Sequence, residues 1–79
     1  MISTSRPESL SAARRLLRGF AGAPDTRRQA QQFYSVLIHG EGWSRAEQEL
    51  IVSLGTWLGE RPGLNELKKR CDEIFDKLT

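Results

Sequence analysis

The chain has 79 residues, of which 38% are hydrophobic and 28% are charged, and its formal net charge is +2. This length supports one small core that only marginally outweighs chain entropy, and the composition is globular rather than disordered. The single cysteine excludes an intramolecular disulfide, and no apolar run approaches the roughly 18 residues of a membrane span. We predict one helical domain over residues 1–79, with 1–5 as a flexible tail, in the reducing cytoplasm.

The first predicted helix follows Ser5, which has capping-box spacing to Glu8, and it ends before Pro24. Its apolar side chains recur at helical spacing and are Leu10, Ala13, Leu16, Leu17 and Phe20. Residues 1–23 are also rich in serine and arginine, as transit peptides are. Because this helix is needed to complete a core, we interpret it as part of the domain.

The second predicted helix begins at Asp25 or Thr26, where Thr26 and Gln29 again have capping-box spacing. Its apolar arc consists of Ala30, Phe33, Tyr34, Leu37 and Ile38. Gly40 follows this arc in the position of a glycine C-cap. The spacing therefore predicts a helix that ends just before Gly40.

The third predicted helix has the clearest start, because Ser44 and Glu47 form an S-x-x-E motif directly before an apolar stripe. The stripe consists of Ala46, Leu50, Ile51, Leu54, Trp57 and Leu58. Gly55 falls outside the stripe, and Gly59 is placed to stop the helix.

The fourth predicted helix begins between Pro62 and Asn65 and runs close to the C-terminus. Its apolar seam consists of Leu64, Leu67, Cys71, Ile74, Phe75 and Leu78. The basic run 68–70 has an acid one turn away from each member, which predicts the pairs Lys68–Asp72, Lys69–Glu73 and Arg70–Glu66. Short loops favour antiparallel neighbours, so we predict an all-α fold, a compact bundle of about four short antiparallel amphipathic helices.

Three residues have side chains that could take part in catalysis or binding, and for each of them we prefer a structural interpretation. His39 is the only histidine and lies where a helix C-terminus favours a cation, with no second ligand or nucleophile beside it. Cys71 lies in an apolar seam, where a thiol acts as a small hydrophobe. Trp43 precedes the Ser44 cap and either packs across the bundle or serves as an interface anchor. We expect no catalytic site, metal or cofactor.

The positive charge is concentrated at the start of the chain. Residues 1–28 carry six arginines against two acidic side chains, a net charge of +4, whereas residues 29–79 carry six basic and eight acidic side chains, a net charge of −2. On a helical projection three of the arginines share one arc opposite the leucines. The candidate binding residues are Arg14, Arg15, Arg18, Arg27, Arg28 and Trp43.

The functional prediction is a small non-enzymatic regulator, inhibitor or adaptor that binds an acidic partner protein through these arginines. The alternative is a nucleic-acid-binding, helix-turn-helix-like transcriptional regulator that uses the same side chains. A homodimer is also compatible with a domain this small, because self-association enlarges the core. Neither interpretation involves a membrane.

Overall fold

A computed structural model describes residues 5–19 and 26–79 and forms an all-α bundle, as predicted. Its four helices are α1 (Arg6–Arg18), α2 (Thr26–Ile38), α3 (Arg45–Gly59) and α4 (Leu64–Leu78). Residues 1–4 of the predicted tail, Phe20 of the first apolar stripe and the predicted alternative start at Asp25 lie outside the described residues. Ser5 is described and is the N-cap residue of α1.

The two central helices are α2 and α4, and each of them contacts every other helix. Within the described residues α1 and α3 flank this pair and make no backbone-level contact with each other. The start of α1 meets the end of α2 at Ser9 and Gly40, while the end of α1 meets the start of α2 through a 2.6 Å hydrogen bond from Gln29 Nε2 to the Gly19 carbonyl. These two helices are therefore antiparallel.

The core is built from the predicted stripes of all four helices. Its fully buried side chains include Phe33 and Leu37 from α2, Ile51 and Leu54 from α3, and Leu67 from α4. Burial of this apolar area is the main stabilising contribution to a domain of this size. Two stripe predictions were wrong, because Ala46 and Leu64 lie in the first turns of α3 and α4 and are exposed.

One of the three predicted capping boxes is confirmed. At α3 the Ser44 hydroxyl accepts from the Glu47 N–H and the Glu47 carboxylate accepts from the Ser44 N–H. The prediction for α1 was wrong, because the Ser5 hydroxyl donates to the Glu8 carboxylate at 3.0 Å and caps no backbone group. The prediction for α2 was also wrong, since the Thr26 hydroxyl is buried within the helix and has no hydrogen-bond partner in the described part of the chain.

Two glycines are required by close helix approach rather than by helix ends. A Cβ at Gly40 would lie 2.2 Å from Ser9 Oγ, so glycine permits the contact between α1 and α2. The Gly40 N–H donates to the Leu37 carbonyl at 3.1 Å just after α2, as expected near a helix end, but among described glycines only Gly42 has the positive φ of a left-handed glycine C-cap. A Cβ at Gly55 would lie 2.5 Å from the Tyr34 ring, so Gly55 faces α2 and not solvent.

Replacing Ser9 with alanine is expected to stabilise the protein by about 1 kcal/mol. Ser9 is fully buried and its Oγ has no hydrogen-bond partner among the residues that the structure describes, so alanine removes an unsatisfied polar atom and raises helix propensity. Urea unfolding followed by circular dichroism measures the change. Ser11→Ala, on the exposed side of α1, is the matched control for helix propensity. An equal gain in both variants would show that the buried hydroxyl costs nothing.

Candidate functional site

Three chain segments meet at one end of the bundle. The Gln29 side chain joins the start of α2 to the end of α1, and Arg27 Nη2 donates to the Pro62 carbonyl at 3.0 Å in the turn between α3 and α4. This end therefore contains the end of α1, the start of α2 and the α3–α4 turn. The start of α1, the end of α2, the start of α3 and the end of α4 lie at the opposite end.

Charge is segregated between these two ends. We define the basic half as residues 13–19, 26–32 and 53–70, which hold nine basic side chains against Glu60 and Glu66, a net charge of +7. The acidic half, residues 5–12, 33–52 and 71–79, holds three basic and seven acidic side chains, a net charge of −4. The basic side chains of the basic half are Arg14, Arg15, Arg18, Arg27, Arg28, Arg61, Lys68, Lys69 and Arg70.

The five predicted arginines all belong to the basic half, three of them on α1 and two on α2. Arg14 lies over the Phe75 ring of α4, 5.7 Å from its centroid, while Arg15 and Arg18 are exposed in the last turn of α1. Arg27 and Arg28 lie at the start of α2 beside the α3–α4 turn. All three arginines of the predicted arc are exposed, and Arg14 also contacts α4.

Arg27 and Arg28 line an open concavity of about 540 Å³. Its other lining residues are Gln31, Leu58, Gly59 and Arg61. Sequence analysis missed Arg61, which is distant from the other two along the chain and reaches them only because the α3–α4 turn folds against α2. The order of charged residues along the sequence does not indicate that Arg61 lies beside Arg27 and Arg28.

Trp43 packs against the bundle, which is the first of the two roles expected for it from the sequence. Its side chain is half-buried against the core, and Nε1 donates to the Leu37 carbonyl at 2.9 Å. The Arg6 guanidinium covers the ring at 5.7 Å from its centroid. Because both the indole N–H and one ring face are already occupied, Trp43 fastens the loop before α3 to the bundle.

Arg6 and Glu47 form a second charged cluster at the acidic end, which sequence analysis missed. Arg6 Nη2 lies 2.7 Å from Glu47 Oε2 and donates to the Leu78 carbonyl at 2.8 Å. The hydrogen bond from Arg6, followed by the Ser44 backbone N–H, lowers the pKa of Glu47 to about 2. This cluster ties together the starts of α1 and α3 and the end of α4, so its role is structural.

His39 and Cys71 each occupy a structural position. His39 is exposed in the turn after α2, with Nδ1 2.8 Å from the Ser35 carbonyl. Cys71 is fully buried, and burial, with a smaller effect of the Asp72 charge, raises the pKa of its thiol to about 12. Among the described residues no group of three potential ligands is placed to hold a metal ion.

The buried thiol leads to a labelling prediction. At pH 8 a pKa of about 12 leaves a thiolate fraction on the order of one in ten thousand, so native Cys71 should react with a disulfide reagent only as the protein opens. Labelling in 6 M urea should be at least about a hundredfold faster. Adding an exposed thiol with Ser11→Cys should give one fast and one slow reaction. Two equally fast reactions would show that Cys71 is accessible.

The basic run in α4 is only partly neutralised by neighbouring acids. Lys68 Nζ pairs with Asp72 Oδ2 at 3.2 Å, as predicted. The other two predicted pairs are not formed among the described residues, and the Arg70 guanidinium instead lies over the Trp57 ring at 5.0 Å from its centroid. The positive charge of the basic half is therefore retained in α4.

Within the part of the chain that the structure describes, no helix is long and apolar enough to cross a bilayer. Comparison with protein families, with curated proteins and with solved structures finds no match to this chain.

Proposed function

We propose that this protein is a small non-enzymatic regulator, of the inhibitor or adaptor type, that binds an acidic surface of a partner protein in the cytoplasm. The observation that supports this function is the net charge of +7 on the basic half, against −4 on the acidic half. Seven of the nine basic side chains there are arginines, whose planar guanidinium groups bind carboxylates in a bidentate manner. The protein acts by covering the surface of its partner.

The separation of charge also favours association in a defined orientation. A positive end and a negative end give the molecule an electrostatic dipole, which orients it toward an acidic surface during the encounter and accelerates binding at low ionic strength. If the bound face is the basic end, the acidic end points away from the partner. The association rate should therefore fall as salt is added, while dissociation changes less.

The experiment is affinity capture from the native host with matched charge variants. Arg15→Glu/Arg18→Glu reverses two exposed arginines of the basic half, whereas Arg45→Glu/Lys77→Glu makes the same change in net charge in the acidic half. We expect the first variant to lose the partner and the second to retain it. Equal capture by both variants would contradict binding through the basic half.

The second candidate is nucleic-acid binding through the same half. It is favoured by the basic first half of α4, which follows the α3–α4 turn as a recognition helix follows its turn. This function requires an affinity that falls linearly on a log–log plot against salt, with a slope set by the phosphates contacted. A titration of labelled duplex DNA and RNA, with the captured protein partner in parallel, separates the two functions.

A further inference from the structure

We infer that the outer face of α3 binds a second copy of this chain, in a two-fold symmetric dimer with antiparallel α3 helices. The buried residues of α3 face the core, and within the described residues α3 contacts only α2 and α4, so its other side faces solvent. We define the outer stripe as the exposed residues of that side, which are Arg45, Gln48, Glu49, Val52, Thr56 and Glu60. This inference goes beyond the proposed function, because the outer stripe contains neither Arg15 nor Arg18.

The middle of the outer stripe can be buried at a low desolvation cost. Val52 is 49% exposed, the largest exposed fraction of a bulky hydrophobic side chain among the described residues. The Thr56 hydroxyl donates to the Val52 carbonyl at 3.3 Å, and the neighbouring Ser53 hydroxyl donates to the Leu50 carbonyl at 2.7 Å. Because both hydroxyls already have an acceptor in α3 itself, covering this face leaves neither donor unsatisfied.

The first half of the outer stripe has the shape of a hole for a side chain from a facing helix. A concavity of about 440 Å³ is lined by Arg45, Gln48, Glu49, Val52 and Ser53. The first four of these have the i, i+3, i+4, i+7 spacing of the residues that surround an inserted side chain where two helices pack. Thr56 and the centre of this hole lie about equally far from Val52 in opposite directions. In an antiparallel pair centred on Val52, the partner's Thr56 therefore faces the hole.

Charged residues at the two ends of the outer stripe complement each other in the same arrangement. Val52 is the midpoint of α3, with Arg45 about 11 Å before it and Glu60 about 12 Å after it along the helix axis. Antiparallel pairing brings Arg45 opposite the partner's Glu60, and the two-fold axis repeats this ion pair. The Arg45 side chain is 95% exposed and its pair with Glu49 spans 3.6 Å, so its guanidinium has donors for a second carboxylate.

The charges of the whole molecule also favour the antiparallel direction. The α3 helix runs from the acidic half, with a net charge of −4, into the basic half, with a net charge of +7. Antiparallel pairing places each basic half beside the acidic half of the other copy, whereas parallel pairing places like charges together.

Sedimentation over a range of protein concentrations tests the dimer and its location. One pair of helices is a small interface, so we expect a dissociation constant on the order of 10–100 μM for wild type. Val52→Asp places two carboxylates at the two-fold axis and should weaken association at least about tenfold. Ser11→Asp, on the exposed side of α1, is the matched control and should dimerise as wild type does. Circular dichroism checks that both variants are folded.

A charge exchange tests the ion pair. Arg45→Glu and Glu60→Arg should each weaken association roughly threefold to tenfold, and the double variant Arg45→Glu/Glu60→Arg should restore it. Recovery in the double variant cannot result from misfolding. The capture variant Arg45→Glu/Lys77→Glu should be mainly monomeric and still retain the partner protein, because Arg15 and Arg18 belong to α1.

Disulfide cross-linking tests the register. Val52→Cys should form a dimer disulfide on mild oxidation, because the two-fold axis brings the two copies of position 52 together. Gln48→Cys is the control on the same stripe, where the two thiols would lie about 12 Å apart along the axis, beyond the limit of about 7 Å between Cα atoms. Cys71 is buried and should not contribute.

The inference is overturned if wild type stays monomeric up to about 1 mM, if Val52→Asp dimerises as Ser11→Asp does, or if Gln48→Cys cross-links as fast as Val52→Cys. Monomeric wild type that still loses its partner on reversal of Arg15 and Arg18 would reject the dimer and retain the proposed function. A wild-type dimer whose capture of a partner is unchanged by that reversal would do the opposite.

Discussion

Replacing Gly40 with alanine is expected to destabilise the protein by about 2–3 kcal/mol, which is a large part of the stability of so small a domain. The added Cβ would lie 2.2 Å from Ser9 Oγ, 3.0 Å from Ser9 Cβ and 3.1 Å from Trp43 Nε1. Ser9 is fully buried in α1, so it cannot rotate away into solvent. Moving Trp43 instead would break its hydrogen bond to the Leu37 carbonyl.

The measurement is the free energy of unfolding in urea, with Gly59→Ala as the matched glycine-to-alanine control. A Cβ at Gly59 meets nothing within 4 Å, so this variant should be neutral or stabilised by up to about 1 kcal/mol. Ser9→Gly combined with Gly40→Ala removes the clashing Cβ and hydroxyl and should recover most of the loss. Equal changes in the free energy of unfolding for Gly40→Ala and Gly59→Ala would show that α1 and α2 do not approach closely at position 40.

Gly40 also shows where prediction from sequence ends. Helical spacing and the S-x-x-E motif at Ser44 located α3, and the same spacing located the other helices, because both signals depend on residues within one turn of each other. The need for glycine at position 40 depends on how two helices cross, which no local pattern contains. The sequence therefore indicated the end of α2 at Gly40 but not the interhelical contact that requires glycine there.

The same local motif formed a capping box at one helix start and not at another. The segments that begin at Ser5 and Ser44 read S-R-P-E and S-R-A-E, yet only the second forms a capping box. At the first, the Ser5 hydroxyl donates to the Glu8 carboxylate and does not cap the backbone of α1. The motif shows which hydrogen-bonding groups are present, but it does not determine which partner each group binds.

The candidate site was predictable only in part for a similar reason. Counting charges identified the arginines of residues 1–28, because they are adjacent in sequence. It assigned the remaining residues a net charge of −2 and did not show that four of their six basic side chains lie in the basic half while six of their eight acids lie in the acidic half. Arg61 enters the site through the α3–α4 turn, so it is visible only in three dimensions.

The second large effect is expected at Glu47, where Glu47→Gln should destabilise the protein by about 2 kcal/mol at pH 7. The carboxylate accepts a hydrogen bond from Arg6 Nη2 at 2.7 Å and from the Ser44 N–H at 2.9 Å. These donors favour the charged form and lower its pKa from 4.5 to about 2. The expected loss of stability is smaller than the free energy that corresponds to the full pKa shift, because Arg6 is partly exposed and solvent screens the pair.

The sign of the pH dependence follows from this shift. Folded Glu47 binds a proton more weakly than unfolded Glu47 does, so its contribution is fully present above about pH 5 and is lost as the pH falls toward 2. The free energies of unfolding of wild type and Glu47→Gln should therefore differ most at pH 7 and converge near pH 2.

Urea unfolding at pH 7, 5, 3 and 2 measures both effects, and Glu49→Gln, two residues further along α3, is the matched control. Glu49 is exposed and its pair with Arg45 spans 3.6 Å, so its loss should change stability by less than about 0.5 kcal/mol at any pH. A difference between wild type and Glu47→Gln that stays constant from pH 7 to pH 2 would show that the carboxylate charge is not what stabilises this end. Because Arg6 also donates to the Leu78 carbonyl, the convergence should be accompanied by loosening of the last turn of α4, visible as faster amide exchange there.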